Sequence, residues 1–283
     1  MKVSVVIPVY NEENGIGAVL DEIYSSKFGK DFEIIVVDDG STDHTPEIVK
    51  SKGSGIKFLS HETNQGYGAA LKTGIRHAKN DIVVITDADG TYPNHEIPKL
   101  VGDMNEYDMV VGARTNEIAH IPMIRRPAKW FLNKLAAFMS NRDIPDLNSG
   151  FRAIKKEIVE SFFHILPNGF SFTSSITLAM LANGYKVKYT PIDYYKRKGK
   201  SKIHPIHDTL NFLQLIIRTI LYFDPLKVFL PISILFFTVS FFMLFYRLFV
   251  GHGFGVTTTL FFVCGVQLLA IGMIADLIDK RMK

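Results

Sequence analysis

Residues 83–94 read VVITDADGTYPN, an apolar run that stops at two aspartates separated by one residue. Like charges this close repel each other, so the pair is costly unless a cation lies beside it. Asp87 and Asp89 are two residues apart, and an extended backbone points both side chains to the same side, where carboxylate and phosphate oxygens can bind one hard cation. The stretch therefore predicts a strand that ends at a site for Mg²⁺ or Mn²⁺.

The cysteines and histidines of the chain do not predict a disulfide framework or a zinc site. The single Cys264 excludes an internal disulfide framework. No Cys or His cluster has zinc-ligand spacing, and we interpret His61, His77 and His95 as surface or loop residues. The net charge of +4, from 32 basic and 28 acidic side chains, is too small to argue for a nucleic-acid partner.

Short β-branched runs alternate with helical patterns over roughly the first 200 residues. Ile16, Val19, Leu20 and Ile23 fall on one helical face, and a second short helix is expected to have Ser41 or Thr42 as its cap and Pro46 in its first turn. The runs that read as strands are KVSVVIPVY, FEIIVVDDG, IKFLSH, DIVVITDADG and YDMVVGAR. This alternation predicts an α/β fold with a mainly parallel sheet covered on both faces.

Polar motifs follow four of these strands. PVYNEE ends the first, DDGSTD the second, DADG the fourth and GAR the fifth. In open α/β sheets the ligand crevice lies outside the carboxyl ends of the strands. We therefore expect these motifs to form one site, in which Asp38 or Asp39 can accept hydrogen bonds from a base or ribose.

The last third of the chain has two uncharged stretches, residues 228–246 and 254–275. Each is long enough to cross the roughly 30 Å hydrocarbon layer as a helix, whereas two buried helices of a soluble core are the weaker alternative. Basic residues flank the outer ends of the pair, and no secretory signal opens the chain, so we expect a multi-pass protein of the cell membrane with its α/β domain and both termini in the cytoplasm. Residues 205–227 read as an amphipathic interfacial helix, with a core-packing helix as the alternative.

Six motifs in order, PVYNEE, DDGSTD, DADGTYP, GAR, NSGFR and RKGKSK, carry a family resemblance. The chain resembles the inverting family 2 glycosyltransferases of GT-A type, and among them the polyprenyl-phosphate glycosyltransferases, which include dolichyl-phosphate mannose and glucose synthases. The resemblance implies a GT-A nucleotide-diphospho-sugar transferase domain over residues 1–204. The interfacial helix over 205–227 and a transmembrane hairpin over 228–279, with spans near 228–249 and 254–276, match the membrane anchor of bacterial and archaeal members.

The resemblance also implies roles for individual residues. Asp87 and Asp89 correspond to the metal-binding D-x-D, and Arg114 to the arginine that faces the reacting phosphates. The nucleotide sugar is expected to contact Pro8, Tyr10, Glu12, Asp39, Asp87, Ala88 and Asp89. The acceptor phosphate is expected to contact Arg125 or Arg126, Arg197, Ser201 and Lys202. The catalytic set is Asp89, Arg114, Arg126 and Arg197.

One position departs from the pattern of the family. Many mannosyl members have a glutamine two residues after the second aspartate, where this chain has Thr91. The implied reaction is the transfer of one sugar from a nucleotide donor, UDP-glucose first and GDP-mannose next, to undecaprenyl or dolichyl phosphate. The departure makes mannose the less certain sugar, and whether the chain forms a homo-oligomer stays open.

Two other functions compete with this reading. A polysaccharide synthase shares the catalytic core but usually carries a Q-x-x-R-W motif, whereas Trp130 lies in RPAKW. A catalytically silent, membrane-tethered module that binds sugar nucleotides would not need the acceptor-side basic residues as well.

Overall fold

The computed structural model describes residues 2–25, 32–53, 55–114, 144–169, 171–195, 221, 225–251 and 255–282. The chain divides into two compact units, Met1–Phe212 and Leu213–Lys283. Several predictions lie outside the described residues: the roles of Arg125, Arg126, Arg197, Ser201 and Lys202, and nearly all of the interfacial helix.

Within the described residues, the first unit contains one seven-stranded sheet in the order β3-β2-β1-β4-β6-β5-β7. All neighbouring strands are parallel except β6, which runs antiparallel to both β4 and β5. The mainly parallel sheet is therefore confirmed. The strands are β1 Val3–Val9, β2 Phe32–Asp38, β3 Ile56–Ser60, β4 Ile82–Ile85, β5 Met109–Arg114, β6 Arg152–Lys155 and β7 Val187–Ile192.

Helices connect and cover these strands. In the first unit they are α1 Ile16–Ser25, α2 Thr45–Ser51, α3 Tyr67–His77, α4 Ile97–Gly102, α5 Lys156–Ser161 and α6 Phe172–Ala182. One-turn 3₁₀ helices, Asn94–Glu96 and Asp103–Asn105, flank α4.

Burial explains why the central strands read as continuous apolar runs. Every residue of β1 and of β4 is buried, as expected for strands covered on both faces. Helix α1 buries Ile16, Val19, Leu20 and Ile23, which confirms the predicted face. Helix α3 lies so close to the sheet that a Cβ on Gly74 would collide with the Cγ1 methyl of Val6.

The predicted cap of the second helix is wrong. Helix α2 begins at Thr45, and Asp43 Oδ1 accepts the Thr45 N–H at 3.0 Å, although Pro46 does lie in the first turn. The Ser41 hydroxyl instead accepts the Asn11 N–H at 2.9 Å. This longer-range contact occupies the side chain that local spacing had assigned to the helix end.

The second unit contains two long helices, α7 Leu226–Phe249 and α8 Val256–Met282. The Ser233 hydroxyl donates to the Gly265 carbonyl at 2.8 Å, and the Ser240 hydroxyl to the Thr258 carbonyl at 2.9 Å. Only 11% of the most apolar window of each helix is buried, so the structure gives no support to two buried core helices. By length and composition, both helices are able to cross a membrane.

Replacing Gly74 with alanine is expected to destabilise the first unit. The added methyl group would overlap Val6 and lie 3.1 Å from Val37 Cγ2, and overpacking of a dense core costs about 1–3 kcal/mol. We expect a lower midpoint of thermal unfolding for the detergent-purified chain, measured by circular dichroism. In the matched variant Gly102→Ala, the added methyl group has no atom within 4 Å. Its free energy of unfolding should stay within about 0.5 kcal/mol of that of the parent. Equal midpoints for the two variants would contradict the close packing of α3 on the sheet.

Candidate active site

The loops after β1 and β2 are joined by hydrogen bonds. Asn11, the only described residue other than glycine with a positive φ (52°), accepts the Thr42 N–H on its Oδ1 at 2.8 Å. Asparagine tolerates this left-handed conformation better than most residues. The Glu12 N–H donates to the Thr45 hydroxyl at 2.9 Å, and Glu13 Oε2 accepts the His44 N–H at 3.1 Å. These bonds hold PVYNEE and DDGSTD together at the carboxyl edge of the sheet.

The turn just before α1 packs directly on the loop that contains the two aspartates of the predicted metal site, which we call the D-x-D loop (residues 86–93). A Cβ on Gly15 would collide with the Ala88 carbonyl oxygen and lie 3.0 Å from the Asp89 Cα. Only glycine permits this approach. The loops after three adjacent strands are thus in contact, as predicted.

The predicted nucleotide-contacting residues on β1 differ in their burial. Pro8 is buried within β1, opposite Val37. Tyr10 and Glu12 lie beyond the end of the strand and are half-buried. Ala88 is 3% exposed, beneath Gly15. The structure therefore brings Tyr10 and Glu12 to the edge of the sheet and leaves Pro8 inside it.

Asp87 lies between a hydroxyl group and a glycine. The Tyr67 hydroxyl donates to Asp87 Oδ1 at 2.9 Å. Burial and the nearby Asp87 charge raise the pKa of Tyr67 well above its usual value, so the phenol stays protonated. A Cβ on Gly150 would lie 2.7 Å from Asp87 Oδ2, so this carboxylate also needs the glycine of NSGFR.

Asp89 is held by the residue that departs from the family pattern. Thr91 donates its hydroxyl to Asp89 Oδ1 at 2.7 Å and its N–H to the same oxygen at 3.1 Å. Thr91 is fully buried, whereas Asp87 and Asp89 are both partly exposed. The threonine therefore contacts the carboxylate from the protein side.

The two carboxylates fit a hard divalent cation. Both are oxygen donors at the carboxyl edge of the sheet, and Gly150 leaves space where a side chain would press on Asp87. The described residues contain no group of three or more His, Cys, Asp or Glu able to hold a metal. Substrate and water oxygens commonly complete the coordination of Mg²⁺ at a site with one or two carboxylates.

The aspartates of DDGSTD are tied to their own chain. Asp38 accepts the Ser41 N–H at 3.1 Å and the Ser60 hydroxyl at 3.2 Å. Asp39 accepts the backbone N–H groups of Gln65 and Gly66 at 2.9 and 2.8 Å. Both aspartates therefore stabilise the edge of the sheet. Contact of either aspartate with a base or ribose stays a prediction.

His61 lies in the loop that follows β3, as predicted, but it is not a surface residue. Its side chain is only 10% exposed. Nδ1 lies 2.7 Å from Asp39 Oδ1, and Nε2 lies 3.0 Å from the Thr73 hydroxyl on α3. His61 thus links the DDGSTD loop to α3, a contact between residues 22 positions apart that no local pattern reveals.

Arg114 is held by an acidic residue that we did not predict. Its Nε and Nη2 donate to Asp146 Oδ2 and Oδ1 at 2.7 and 2.9 Å, and its guanidinium lies 5.3 Å from the centroid of the Tyr194 ring. Burial alone would raise the pKa of the Asp146 carboxyl, but the hydrogen bonds and charge of Arg114 outweigh it and hold that pKa below its usual value. Asp146 lies two residues before NSGFR, and its pairing with Arg114 has no local signal.

Three aromatic rings lie beside this ion pair. Tyr92 stacks on Phe151 with centroids 5.5 Å apart and meets Tyr194 edge-on at 5.5 Å. The Tyr92 hydroxyl accepts the Gly150 N–H at 2.7 Å, which fixes the glycine that faces Asp87. The rings therefore connect the D-x-D loop to NSGFR and to the residues after β7.

The arginine of NSGFR is a structural residue. Arg152 is fully buried, and its guanidinium donates to the Thr173 carbonyl and the Thr177 hydroxyl at 2.9 Å each. It also donates to the carbonyl of Ser149, within the NSGFR segment itself. These bonds anchor the NSGFR segment to α6 and leave Arg152 behind the site.

Replacing Asp146 with asparagine is expected to destabilise the folded chain by about 3–5 kcal/mol, because it leaves the buried guanidinium of Arg114 without its counter-charge. The lowered pKa means that the aspartate stabilises the fold above the carboxyl's unfolded value of about 3.9 and loses this effect as pH falls through its lower folded value. The free energy of unfolding should therefore fall less as the pH is lowered in the variant than in the parent. In the control Asp21→Asn, the lost pair is exposed, so the cost should stay below about 1 kcal/mol.

Comparison with known proteins agrees with this architecture. The model of glycosyl transferase family 2 matches residues 4–163, and that of the GtrB C-terminal hairpin matches residues 224–280. Glucosyl-3-phosphoglycerate synthase from Mycobacterium tuberculosis, solved with Mn²⁺, uridine diphosphate and glucosyl-3-phosphoglycerate, superposes with a TM-score of 0.61 at 24% identity, covering 78% of each chain. This likeness confirms the expected GT-A fold.

Two relatives extend the likeness to sequence. A dolichyl-phosphate hexose transferase from Haloferax volcanii is 34% identical over 71% of this chain and 86% of its own length. An undecaprenyl-phosphate 4-deoxy-4-formamido-L-arabinose transferase from Enterobacter sp. is 29% identical over 99% of this chain and 88% of its own length. With the family match spanning more than half of the chain, the protein belongs to glycosyl transferase family 2.

Proposed function

We propose that the protein transfers one sugar from a nucleoside-diphosphate sugar to a polyprenyl phosphate at the cytoplasmic face of a membrane. Two relatives support the acceptor, because their names state transfer involving dolichyl phosphate and undecaprenyl phosphate. The match to the GtrB hairpin and the two long apolar helices support membrane attachment, which a lipid acceptor requires.

One observation carries the proposal furthest. The Tyr195 N–H donates to the Thr91 carbonyl at 2.9 Å, which joins the chain just after β7 to the D-x-D loop. Tyr195 is the last described residue before RKGKSK, the basic motif in which we assign Arg197, Ser201 and Lys202 to the acceptor phosphate. The described chain that leads to this motif is thus bonded to the loop of the proposed metal site. Arg125 or Arg126 would add to this acceptor side.

The chemistry needs no strong general base. A lipid phosphate is anionic near neutral pH, so one of its oxygens attacks the anomeric carbon while the bond to the diphosphate oxygen breaks, with inversion. When bound, Mg²⁺ or Mn²⁺ supplies neutralisation of the charge on the leaving diphosphate. Asp87 and Asp89 would hold this ion. Arg114, oriented by Asp146, stabilises the same developing charge.

The hydrogen bonds of Asp39 favour a uridine donor. An ionised carboxylate offers about four lone-pair sites. Three are used by His61, Gln65 and Gly66, which leaves capacity for one donor. Uracil presents one ring N–H, whereas guanine presents an N–H and an amino group together. This count favours a uridine nucleotide, and UDP-glucose stays our first donor, with GDP-mannose the second.

The reaction can be tested with the detergent-purified full chain, Mn²⁺ and a polyprenyl phosphate. Labelled UDP-glucose, GDP-mannose and N-acetylated sugar nucleotides are supplied one at a time, and label extracted into organic solvent is counted. We expect label from UDP-glucose. Asp89→Ala should lower the transfer about 100-fold or more, the scale on which single groups stabilise a transition state.

Two results would contradict the proposal. Absence of lipid-linked label from every donor, with nucleotide binding intact, would indicate a silent binding module. Normal transfer by folded Asp89→Ala would remove the metal assignment. Asp21→Ala, which changes a side chain 64% exposed on α1, serves as the control and should transfer at the parent rate.

A further inference from the structure

Each carboxylate of the D-x-D pair accepts a hydrogen bond from a hydroxyl group. Tyr67 donates to Asp87 at 2.9 Å and Thr91 donates to Asp89 at 2.7 Å. We propose that Tyr67 and Thr91 are positioning residues, which fix the two carboxylates in the geometry that a divalent cation needs. This inference rests on the proposed function, in which those carboxylates bind the metal.

The backbone around Tyr67 is fixed by its neighbours. Tyr67 is the first residue of α3. The preceding Gly66 N–H donates to Asp39 Oδ2 at 2.8 Å, and the Ala69 N–H donates to the Asn168 carbonyl at 3.0 Å. A Cβ on Gly68 would collide with the Pro167 carbonyl oxygen. Because the start of α3 is held on these sides, the phenol hydroxyl is delivered to one place, beside Asp87.

Thr91 acts on Asp89 from the side opposite the solvent. It is fully buried, its hydroxyl and N–H both reach Asp89 Oδ1, and its carbonyl accepts the Tyr195 N–H at 2.9 Å. Thr91 therefore orients the carboxylate of Asp89 from behind.

Fixing the carboxylates in advance has a direct energetic effect. Two carboxylates this close repel each other, and hydrogen bonds to their charged forms reduce that cost before the cation arrives. Groups that hold metal ligands from behind typically change metal affinity by 10- to 100-fold when removed. We therefore expect both hydroxyl groups to contribute to metal affinity, although neither is a ligand.

The test compares Mn²⁺ binding by Tyr67→Phe and Thr91→Val with that of the parent. Free Mn²⁺ is measured by electron paramagnetic resonance on the full chain in detergent, with and without saturating UDP. Each variant should bind Mn²⁺ at least about tenfold more weakly. Thr91→Ser, which keeps the hydroxyl, should return the affinity to within about threefold of the parent, which a loss of packing alone would not explain.

Neighbouring residues on β7 provide matched controls. The hydroxyls of Tyr189 and Thr190 are buried, and among the described residues neither has a hydrogen-bond partner. Tyr189→Phe and Thr190→Val make the same chemical changes at hydroxyls that do not hydrogen-bond to Asp87 or Asp89. Both should bind Mn²⁺ within about twofold of the parent.

The outcomes separate this inference from the proposed function. Parent-like Mn²⁺ affinity in both test variants, together with loss of Mn²⁺ binding in Asp89→Ala, would overturn the positioning roles and leave the metal site in place. Parent-like affinity in Asp89→Ala would remove the metal site and the positioning roles together. The two test variants change different elements, so if one fails to fold, the other decides.

Discussion

The parallel pairing of β1 with β2 and β4 is the constraint on which the candidate site depends. Val9 at the end of β1 lies opposite Asp38, but β4 stops opposite Val6. The D-x-D loop therefore starts three residues short of the end of β1 and contacts the turn just before α1 at Gly15. Backbone hydrogen bonds set this offset, and the offset determines which loops can touch.

Much of the first unit follows from local sequence signals. Five strands, the buried face of α1 and the D-x-D loop at the end of β4 were predicted from apolar periodicity and from the position of polar residues. The pairs that complete the site have no such signal. Arg114 and Asp146 are 32 positions apart, and Tyr67 and Asp87 are 20 apart. Only the folded sheet brings these partners together, and the misassigned cap of α2 has the same cause, because Asn11 takes the Ser41 hydroxyl.

The ion pair between Arg114 and Asp146 is better understood as a device for orientation than as a source of stability. Removing two charges from water costs several kcal/mol per ion, and their attraction often does no more than offset this cost. The bidentate geometry nevertheless restricts the guanidinium to one plane over the Tyr194 ring. In the proposed reaction, a guanidinium held in this way would need little reorganisation when the phosphates of the donor bind.

The bond from the Tyr195 N–H to the Thr91 carbonyl joins the D-x-D loop, through backbone atoms alone, to the chain that leads to the basic motif RKGKSK. Side-chain substitutions at either position leave both atoms in place, and only proline at 195 would remove the donor. If the protein carries out the proposed reaction, residues around the sugar can therefore change over evolutionary time while this backbone connection is kept. A connection of this kind would allow related enzymes to acquire new donor sugars while they retain a common lipid acceptor.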